Sequence, residues 1–542
     1  MVLVASLAAG AVLLLPEDFA RLGRHVVAGG AFFSNLLLWS EAGYFDPDAA
    51  TKPLLHLWSL GIEEQFYLAW PLLLWLARGR PRWTLALCTV LPVASFIFGC
   101  LSIGSHPVAA FFSPATRIWE LLVGAFVAVA CLRGDRWLQG SGEVRSLAAC
   151  AFLGAAILLI DEHRAFPGSW ALLPVLGSAL WISAPRARFN RTVLASRGLV
   201  AVGLVSYPLY LWHWPLLSFA RISQGGDASP GTRAAALAAS FALAWLTYAV
   251  VERWLRFGGR GRAKAIGLGI SMVVVVAAGF AISRLGGLPQ RFPQLVRSML
   301  AIDAPAILAE WRIGSCFLDS NDRVEDFDKC PDRYGRHVIL LWGDSHAAHL
   351  YPGMRRRLGS EHVVERTVSA CPPMLGYEAH ARPVCRAAND RVMDEVRRER
   401  PRIVVLAAGW YFDWNYELLR KTVRELRLSG VEQVILVGHF PQWREPVPAR
   451  LVRTWRQDPF HRVPRRFADG LNLANAHVDG TLAALAREER IEFRAPEAIL
   501  CNEEGCLVRL GDGDGDLTTW DQDHLTDAGS LFVVERLELP KP

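Results

Sequence analysis

Long apolar runs fill residues 1–286 of this 542-residue chain and then stop. That segregation constrains the fold more than any motif does. So many successive apolar runs need either a very large core or a bilayer, where helices satisfy their own backbone polar groups. The runs fall near 1–15, 26–39, 62–77, 84–101, 116–132, 147–160, 170–184, 199–220, 234–251 and 265–283. Several are shorter than the roughly 20 residues a helix needs to span a bilayer; the run at 26–39 reads as re-entrant or interfacial. Basic loops recur between them at Arg78, Arg80 and Arg82, at Arg133 and Arg136, at Arg186, Arg188, Arg191 and Arg197, and at Arg253, Arg256, Arg260, Arg262 and Lys264. Less basic loops at 102–114, 161–169 and 223–230 alternate with these. Positive residues gather on the cytoplasmic side, so the last run is expected to leave the cytoplasm and everything after about 286 to lie outside.

These loops also account for much of the basic excess behind the net charge of +6, which needs no nucleic-acid partner. Met1 opens straight into an apolar run, with no charged segment or small-residue cleavage site ahead of it, unlike a signal peptide.

Beyond 286 the pattern changes. Residues 287–335 are Pro-containing, mixed in charge and without clear period, and read as a linker. From 336 to 542, β-rich runs (337–342, 402–408, 432–438) alternate with stretches of helical composition (346–358, 386–399, 415–428, 473–488). Such alternation predicts an α/β domain with a largely parallel sheet between helical layers. The ten cysteines divide accordingly. Cys88, Cys100, Cys131 and Cys150 accompany apolar runs and read as inert small hydrophobes. Cys316, Cys330, Cys371, Cys385, Cys501 and Cys506 form close pairs in the soluble half, as disulfides of an oxidising compartment would. Spacing leaves their connectivity open, with pairing of sequence neighbours preferred. Zinc is the rival reading, without a Cys-x-x-Cys or suitable His spacing behind it.

Gly343-Asp344-Ser345 follows the apolar run 337–342, and Asp521-Gln522-Asp523-His524 comes far downstream. A serine needs a base to take its proton and a third group to orient that base. Ser345 is therefore the expected nucleophile, His524 the base and Asp521 the orienting carboxylate, with the Ser345 backbone N–H as oxyanion donor. His346 and His349 read as supporting or structural residues, and Asp523 as a surface or hydrogen-bonding residue. Asp512, Asp514 and Asp516 mimic the start of a calcium loop, but Leu517 stands where that loop needs Gly, so no metal is expected. Trp410, Tyr411 and Trp414 suit either sugar stacking or core packing.

Ionisable residues in membrane segments are costly and hence functional candidates. His56, Glu63 and Glu64 lie in the string from Leu55 to Tyr67; Arg117 and Glu120 stand three apart; His213 lies in the aromatic-rich string from Ser206 to Pro215. Each has a structural alternative: the Glu pair as a helix cap, Arg117–Glu120 as an ion pair, Trp212 and Trp214 as interfacial aromatics.

Taken together, Trp58-Ser59-Leu60-x-x-Glu63-Glu64-Gln65-Phe66-Tyr67, the Arg117–Gly124 string and the 206–215 string resemble the membrane acyltransferase-3 family of bacterial polysaccharide O-acyltransferases, up to a closing Val251-Glu252-Arg253. The resemblance implies a multi-pass helical domain over 1–286, embedded in the bacterial inner membrane, using a cytoplasmic acyl-CoA, usually acetyl-CoA, as donor substrate. Two further family segments, the first carrying a basic residue and a catalytic His, find no counterpart here; the chain reads as beginning at the family's third helix. The Ser345 block and the closing Asp521-x-x-His524 resemble the SGNH hydrolase family over roughly 336–542, a domain fused behind such membrane domains and here expected to be periplasmic. The family's Gly-x-Asn-Asp block is unmatched at Ala407-Ala408-Gly409-Trp410-Tyr411, leaving Asn415 as a weak substitute, and its second-block Gly is unmatched near Ser369-Ala370-Cys371.

The expected activity is acyl transfer from acyl-CoA to a cell-surface glycan through an acyl-serine at Ser345, with no bound cofactor. The alternatives are a membrane-anchored esterase and an inactive truncated relative. The glycan, the acyl chain and the oligomeric state are not encoded in any pattern found.

Overall fold

The computed structural model describes residues 1–541 apart from 43–48, 79, 136–137, 139, 162–163, 258, 260, 301, 303, 320–321, 336, 380–383 and 512–515. Asp512 and Asp514 of the calcium-like string thus lie outside the described residues. The chain divides into two compact units, the first running to Leu288 and the second starting at Pro289.

The first unit is helical. Five described helices are long and apolar enough to cross a bilayer: Arg82–Ser102, Pro107–Arg133, Gly142–Leu159, Pro230–Arg256 and Gly261–Arg284. They turn large apolar side chains outward, Leu132, Ile157 and Leu158 among them, the inverse of a water-soluble bundle and the surface that lipid requires. Two further helices, Leu57–Ala77 and Arg197–Gln224, carry internal prolines (Pro71; Pro208 and Pro215) and three of the six polar candidates, Glu63, Glu64 and His213. The apolar run at 26–39 does not form one element. Helix Pro16–Gly30 ends there, Phe32 takes a left-handed φ of 60°, and a separate helix Ser34–Glu41 begins. Hydropathy alone bridged this break because the turn residues are themselves apolar. Pro16–Gly30 packs on Gly261–Arg284 through Gly23 and Gly279; a Cβ at Gly23 would come within 2.6 Å of the Gly279 carbonyl. Small residues let the two backbones approach that closely.

The second unit is built on a six-stranded sheet in the order β1-β3-β2-β4-β5-β7, every neighbouring pair parallel. Its strands are β1 Phe317–Leu318, β2 Ile339–Gly343, β3 Val363–Val368, β4 Ile403–Ala407, β5 Gln433–Val437 and β7 Glu492–Arg494. A small antiparallel sheet joins β6 Arg466–Phe467, β8 Cys501–Asn502 and β9 Gly505–Leu507. Helices cover both faces, which explains why the central strands read as unbroken apolar runs. Leu340, Trp342, Val404 and Leu406 pack on one side against Val392, Leu419 and Leu482. Ile339, Leu341, Val405 and Ile435 pack on the other against Leu350, Met354 and Val533.

The stretch expected as a linker is folded well before residue 336. Trp311 and Phe317 are fully buried, and β1 adds an edge strand to β3. Arg312 donates to Asp332 (2.5 and 2.9 Å) and to Glu365 (2.7 and 3.1 Å) with its guanidinium 3.8 Å over the Tyr351 ring. A two-residue strand held by an ion cluster has no apolar period, so sequence pattern passes over it. Disulfides join sequence neighbours, Cys316–Cys330, Cys371–Cys385 and Cys501–Cys506. Their sulfurs are therefore not available to zinc.

Candidate active site

β2 delivers the candidate nucleophile, Ser345. It ends at Gly343, where an added Cβ would fall 1.7 Å from the Ala407 carbonyl, so only glycine lets β2 and β4 stay paired at this level. Asp344 then caps the short helix Ser345–Ala348, its Oδ1 accepting the His346 N–H at 2.8 Å. Its Oδ2 accepts the Gly409 N–H at 2.9 Å, tying the turn to the end of β4. Ser345 is fully buried at the first position of that helix.

The candidate base, His524, arrives from far along the chain. His524 Nε2 lies 2.9 Å from Ser345 Oγ, and His524 Nδ1 lies 2.6 Å from Asp521 Oδ2. Asp521 Oδ1 meanwhile accepts the backbone N–H groups of Asp523 (3.0 Å) and His524 (2.7 Å), so one carboxylate shapes the turn and orients the ring. The rings of Trp311 and Trp520 flank His524 at 5.4 and 6.1 Å. Burial works against a charged His524, but the carboxylates of Asp521 and Asp523 outweigh it and hold its pKa above the ordinary value. The arrangement can take a proton from Ser345 and hold it.

Asp523, expected as a surface or hydrogen-bonding residue, is the latter: its Oδ2 accepts from Gln442 Nε2 at 3.2 Å, and its Oδ1 lies 3.2 Å from His524 Nδ1. The signal was present as a second carboxylate directly before the histidine, but Gln442, from the loop after β5, has no local signature. His346 and His349 are both buried in the site. His349 packs 4.4 Å from the Phe440 ring, its Nδ1 accepts the Leu525 N–H at 3.4 Å, and burial keeps its pKa well below the ordinary value.

The family's oxyanion block stays unmatched. Asn415 caps the helix Tyr416–Leu428, its Oδ1 accepting the Glu417 N–H at 3.2 Å. The Gly409 N–H is engaged by Asp344. Ser369–Cys371 does come beside the nucleophile turn, since Thr367 pairs with Gly343, and Ala370 there takes a left-handed φ of 48°. Of the aromatic trio, Trp410 is core: it is fully buried and donates its indole N–H to the Val437 carbonyl at 2.8 Å. Trp414 packs on Trp410 and Tyr377, whereas Tyr411 stays exposed.

His346, Asp523 and His524 bring potential ligand atoms within 4.8 Å of one another. Both ring nitrogens of His524 already face Asp521 and Ser345, so the donor set fits a proton relay better than a cation.

In the helical unit the structure gathers His56, Ser59, Tyr210 and His213. Tyr210 donates its hydroxyl to the His56 carbonyl and lies 2.8 Å from Ser59 Oγ; the His56 and His213 rings stand 5.8 Å apart. Arg117 Nε meets Glu120 Oε1 at 2.8 Å, and the guanidinium sits over Trp58, Phe166 and Phe111 at 5.2, 5.5 and 5.6 Å. The pair lines a cavity of about 350 Å³ with Val175 and Ser178. Glu63 and Glu64 lie beyond the first turn of Leu57–Ala77, which has no acidic residue there, so they do not cap it. Trp212 and Trp214 are not free interfacial aromatics: their indoles donate to Thr247 Oγ1 (3.0 Å) and the Lys52 carbonyl (2.8 Å).

Residues 4–249 match the family model of an acyltransferase domain, and residues 315–538 match that of the SGNH domain fused to such domains. An uncharacterised protein of Haemophilus influenzae is 31% identical over 182 residues, 31% of this chain and 74% of that protein. The chain belongs to this acyltransferase family. Another relative is the peptidoglycan O-acetyltransferase OatA of Listeria monocytogenes, 27% identical over 46% of this chain. The chain spans 42% of that protein's length. Among solved structures, the periplasmic domain of a Salmonella ser. Paratyphi A lipopolysaccharide acetyltransferase is 22% identical. It covers 44% of this chain and 97% of its own, with a TM-score of 0.39. As a member of the acyltransferase family with its apolar helices in place, the chain is a multi-pass membrane protein.

Proposed function

We propose that this chain is an O-acyltransferase that carries an acyl group, acetyl by analogy with its relatives, from a cytoplasmic acyl-CoA to a hydroxyl of a cell-surface glycan. The single observation that carries the reading is the Ser345–His524–Asp521 relay on the same chain as the family's membrane unit. His524 Nε2 takes the Ser345 proton as Oγ attacks the acyl carbonyl. The Ser345 backbone N–H, aimed from the helix start, faces the resulting oxyanion. The leaving group departs with the proton from His524, leaving an acyl-serine. A sugar hydroxyl then gives its proton to His524 and attacks the ester carbonyl, and His524 passes that proton to Oγ as the ester bond breaks, restoring Ser345. Asp521 holds the imidazole in the tautomer that both half-reactions need.

The membrane unit supplies the acyl group, with Arg117, Glu120, His56 and His213 as the candidates for its passage. The alternation of basic loops and the three disulfides support an orientation with the SGNH domain on the periplasmic side of the inner membrane. The relay itself accepts water as readily as a sugar, so the esterase reading differs only in acceptor. Mass spectrometry of envelope glycans from cells expressing Ser345→Ala decides the main point: acylation should vanish, and unchanged acylation would remove Ser345 from the pathway. Acceptor-independent ester cleavage by the purified full chain would favour the esterase.

A further inference from the structure

The imidazole of His524 faces more charge than a serine relay requires. Nδ1 meets Asp521 at 2.6 Å and Asp523 at 3.2 Å. Two carboxylates on one ring would stabilise the imidazolium so strongly that His524 would hold its proton and fail as a base. A second imidazole, flanked by carboxylates, stands next to it. His346, buried on the nucleophile helix, has Nε2 at 3.6 Å from Asp523 Oδ2 and Nδ1 at 3.5 Å from Asp344 Oδ1. Both lengths exceed a good hydrogen bond, yet they set the ring between two carboxylates. Its ring centroid lies 4.9 Å from that of His524.

We propose that Asp523 is a second carboxylate on the base, and that His346 is a permanently charged imidazolium that restrains it, so that the pair together sets the pH at which Ser345 is activated. Both are positioning residues, acting through His524. The other groups facing this pair are His349 from the same segment as His346, His439 from the loop after β5, Tyr411 from the segment after β4, and Gln442, which donates to Asp523. Burial opposes charge on His346, yet the contacts with Asp344 and Asp523 raise its pKa to about 10, so it stays protonated across the working range. His349 and His439, buried without a comparable partner, are held below the ordinary value and stay neutral. The local sum is then three carboxylates against one fixed cation, with His524 left free to cycle.

Gly409 supports the same arrangement from the segment just past β4. A Cβ there would lie 2.8 Å from the His346 ring, so the glycine leaves the imidazole room between its two carboxylates.

The inference rests on Ser345 being the acyl-accepting serine. It is tested by the rate at which a fluorophosphonate probe labels Ser345 in the detergent-solubilised full chain, measured across pH. Asp523→Asn removes an anion from Nδ1 and should move the acid midpoint down by about one unit or more; His346→Gln removes a cation and should move it up by a similar amount. On the acid limb a one-unit move is about a tenfold change in rate. The double variant should return close to the parent midpoint. Uniform slowing without a midpoint shift, or shifts of the same sign, would overturn the proposal. If His346→Gln fails to accumulate, Asp523→Asn alone decides it: a lowered midpoint supports the pair and an unmoved one removes it. Absence of labelling in the parent chain at every pH would instead sink the assignment of Ser345, and the inference with it.

Discussion

The Asp344 carboxylate accepts the backbone N–H of Gly409 at 2.9 Å, joining the nucleophile turn to the end of the neighbouring strand. Adjacent parallel strands bring the two turns together, because Gly343 pairs with Ala407 at the carboxyl end of the sheet. Sites of open α/β sheets form at those ends. The bond also diverts the Gly409 N–H from any role toward substrate.

Gly409→Ala should therefore damage the site more than the fold. The new methyl would meet the His346 ring at 2.8 Å, pushing it off Asp344 and Asp523. Probe labelling of Ser345 should drop by about 10²-fold, the scale of a displaced catalytic group, while the unfolding temperature changes by only a few degrees. Labelling kinetics and a thermal scan on the same preparation check both halves.

Activity should fall on the acid side with a midpoint above 6.5, the ordinary imidazole value. Burial alone would lower the His524 pKa, but Asp521 and Asp523 outweigh it and favour the protonated form. Below that raised pKa the ring already carries its proton and cannot accept one from Ser345. Asp521→Asn should shift the limb downward and lower the plateau by about 10³–10⁴-fold through the wrong tautomer. A pH–rate profile of ester turnover by the two proteins is the measurement.

Arg117→Lys separates the two units functionally. A lysine keeps the charge but not the planar group that lies over Trp58, Phe111 and Phe166 while meeting Glu120. Glycan acylation in cells should decrease at least tenfold, while probe labelling of Ser345 stays at the parent rate. Equal loss of both readouts would contradict a role confined to delivering the acyl group.

The Cys371–Cys385 disulfide fastens the chain leaving β3 to the helix Val384–Glu399. Its sequence separation of 14 corresponds to about 3 kcal/mol of lost unfolded-state entropy. At about 2–4 °C per kcal/mol for a domain of this size, replacing both cysteines by alanine should lower the temperature at which Ser345 labelling is lost by about 6–12 °C. Expression in a reducing compartment should reproduce the effect.

Legibility in the sequence followed the range of the interaction. Ser345, Asp521 and His524 were visible because Gly-Asp-Ser and Asp-x-x-His are local strings, and the soluble sheet was visible because strands buried on both faces are continuous apolar runs. The fold of Trp311–Cys330 was not, since an ion cluster and a disulfide leave no period. Asp523 could be read only as a surface or hydrogen-bonding residue, because its partners, Gln442 and His346, lie on other elements. Asn415 and Trp410 were read as possible ligand groups because sequence does not distinguish a helix cap or a buried indole from a contact residue.

Residue order alone therefore determined the division into a membrane half and an α/β half, the candidate trio of Ser345, Asp521 and His524, and the compartment that the six close-spaced cysteines imply. These follow from hydropathy, short-range spacing and composition, which act within a few residues of chain. Only the tertiary structure decided what surrounds the base. Ser345 and His524 stand 179 positions apart and meet at 2.9 Å, and the balance of Asp521, Asp523, Asp344 and His346 around them depends on charges brought together by the sheet. Charge–charge energies vary with distance in space and with burial, and neither quantity is written in the order of residues.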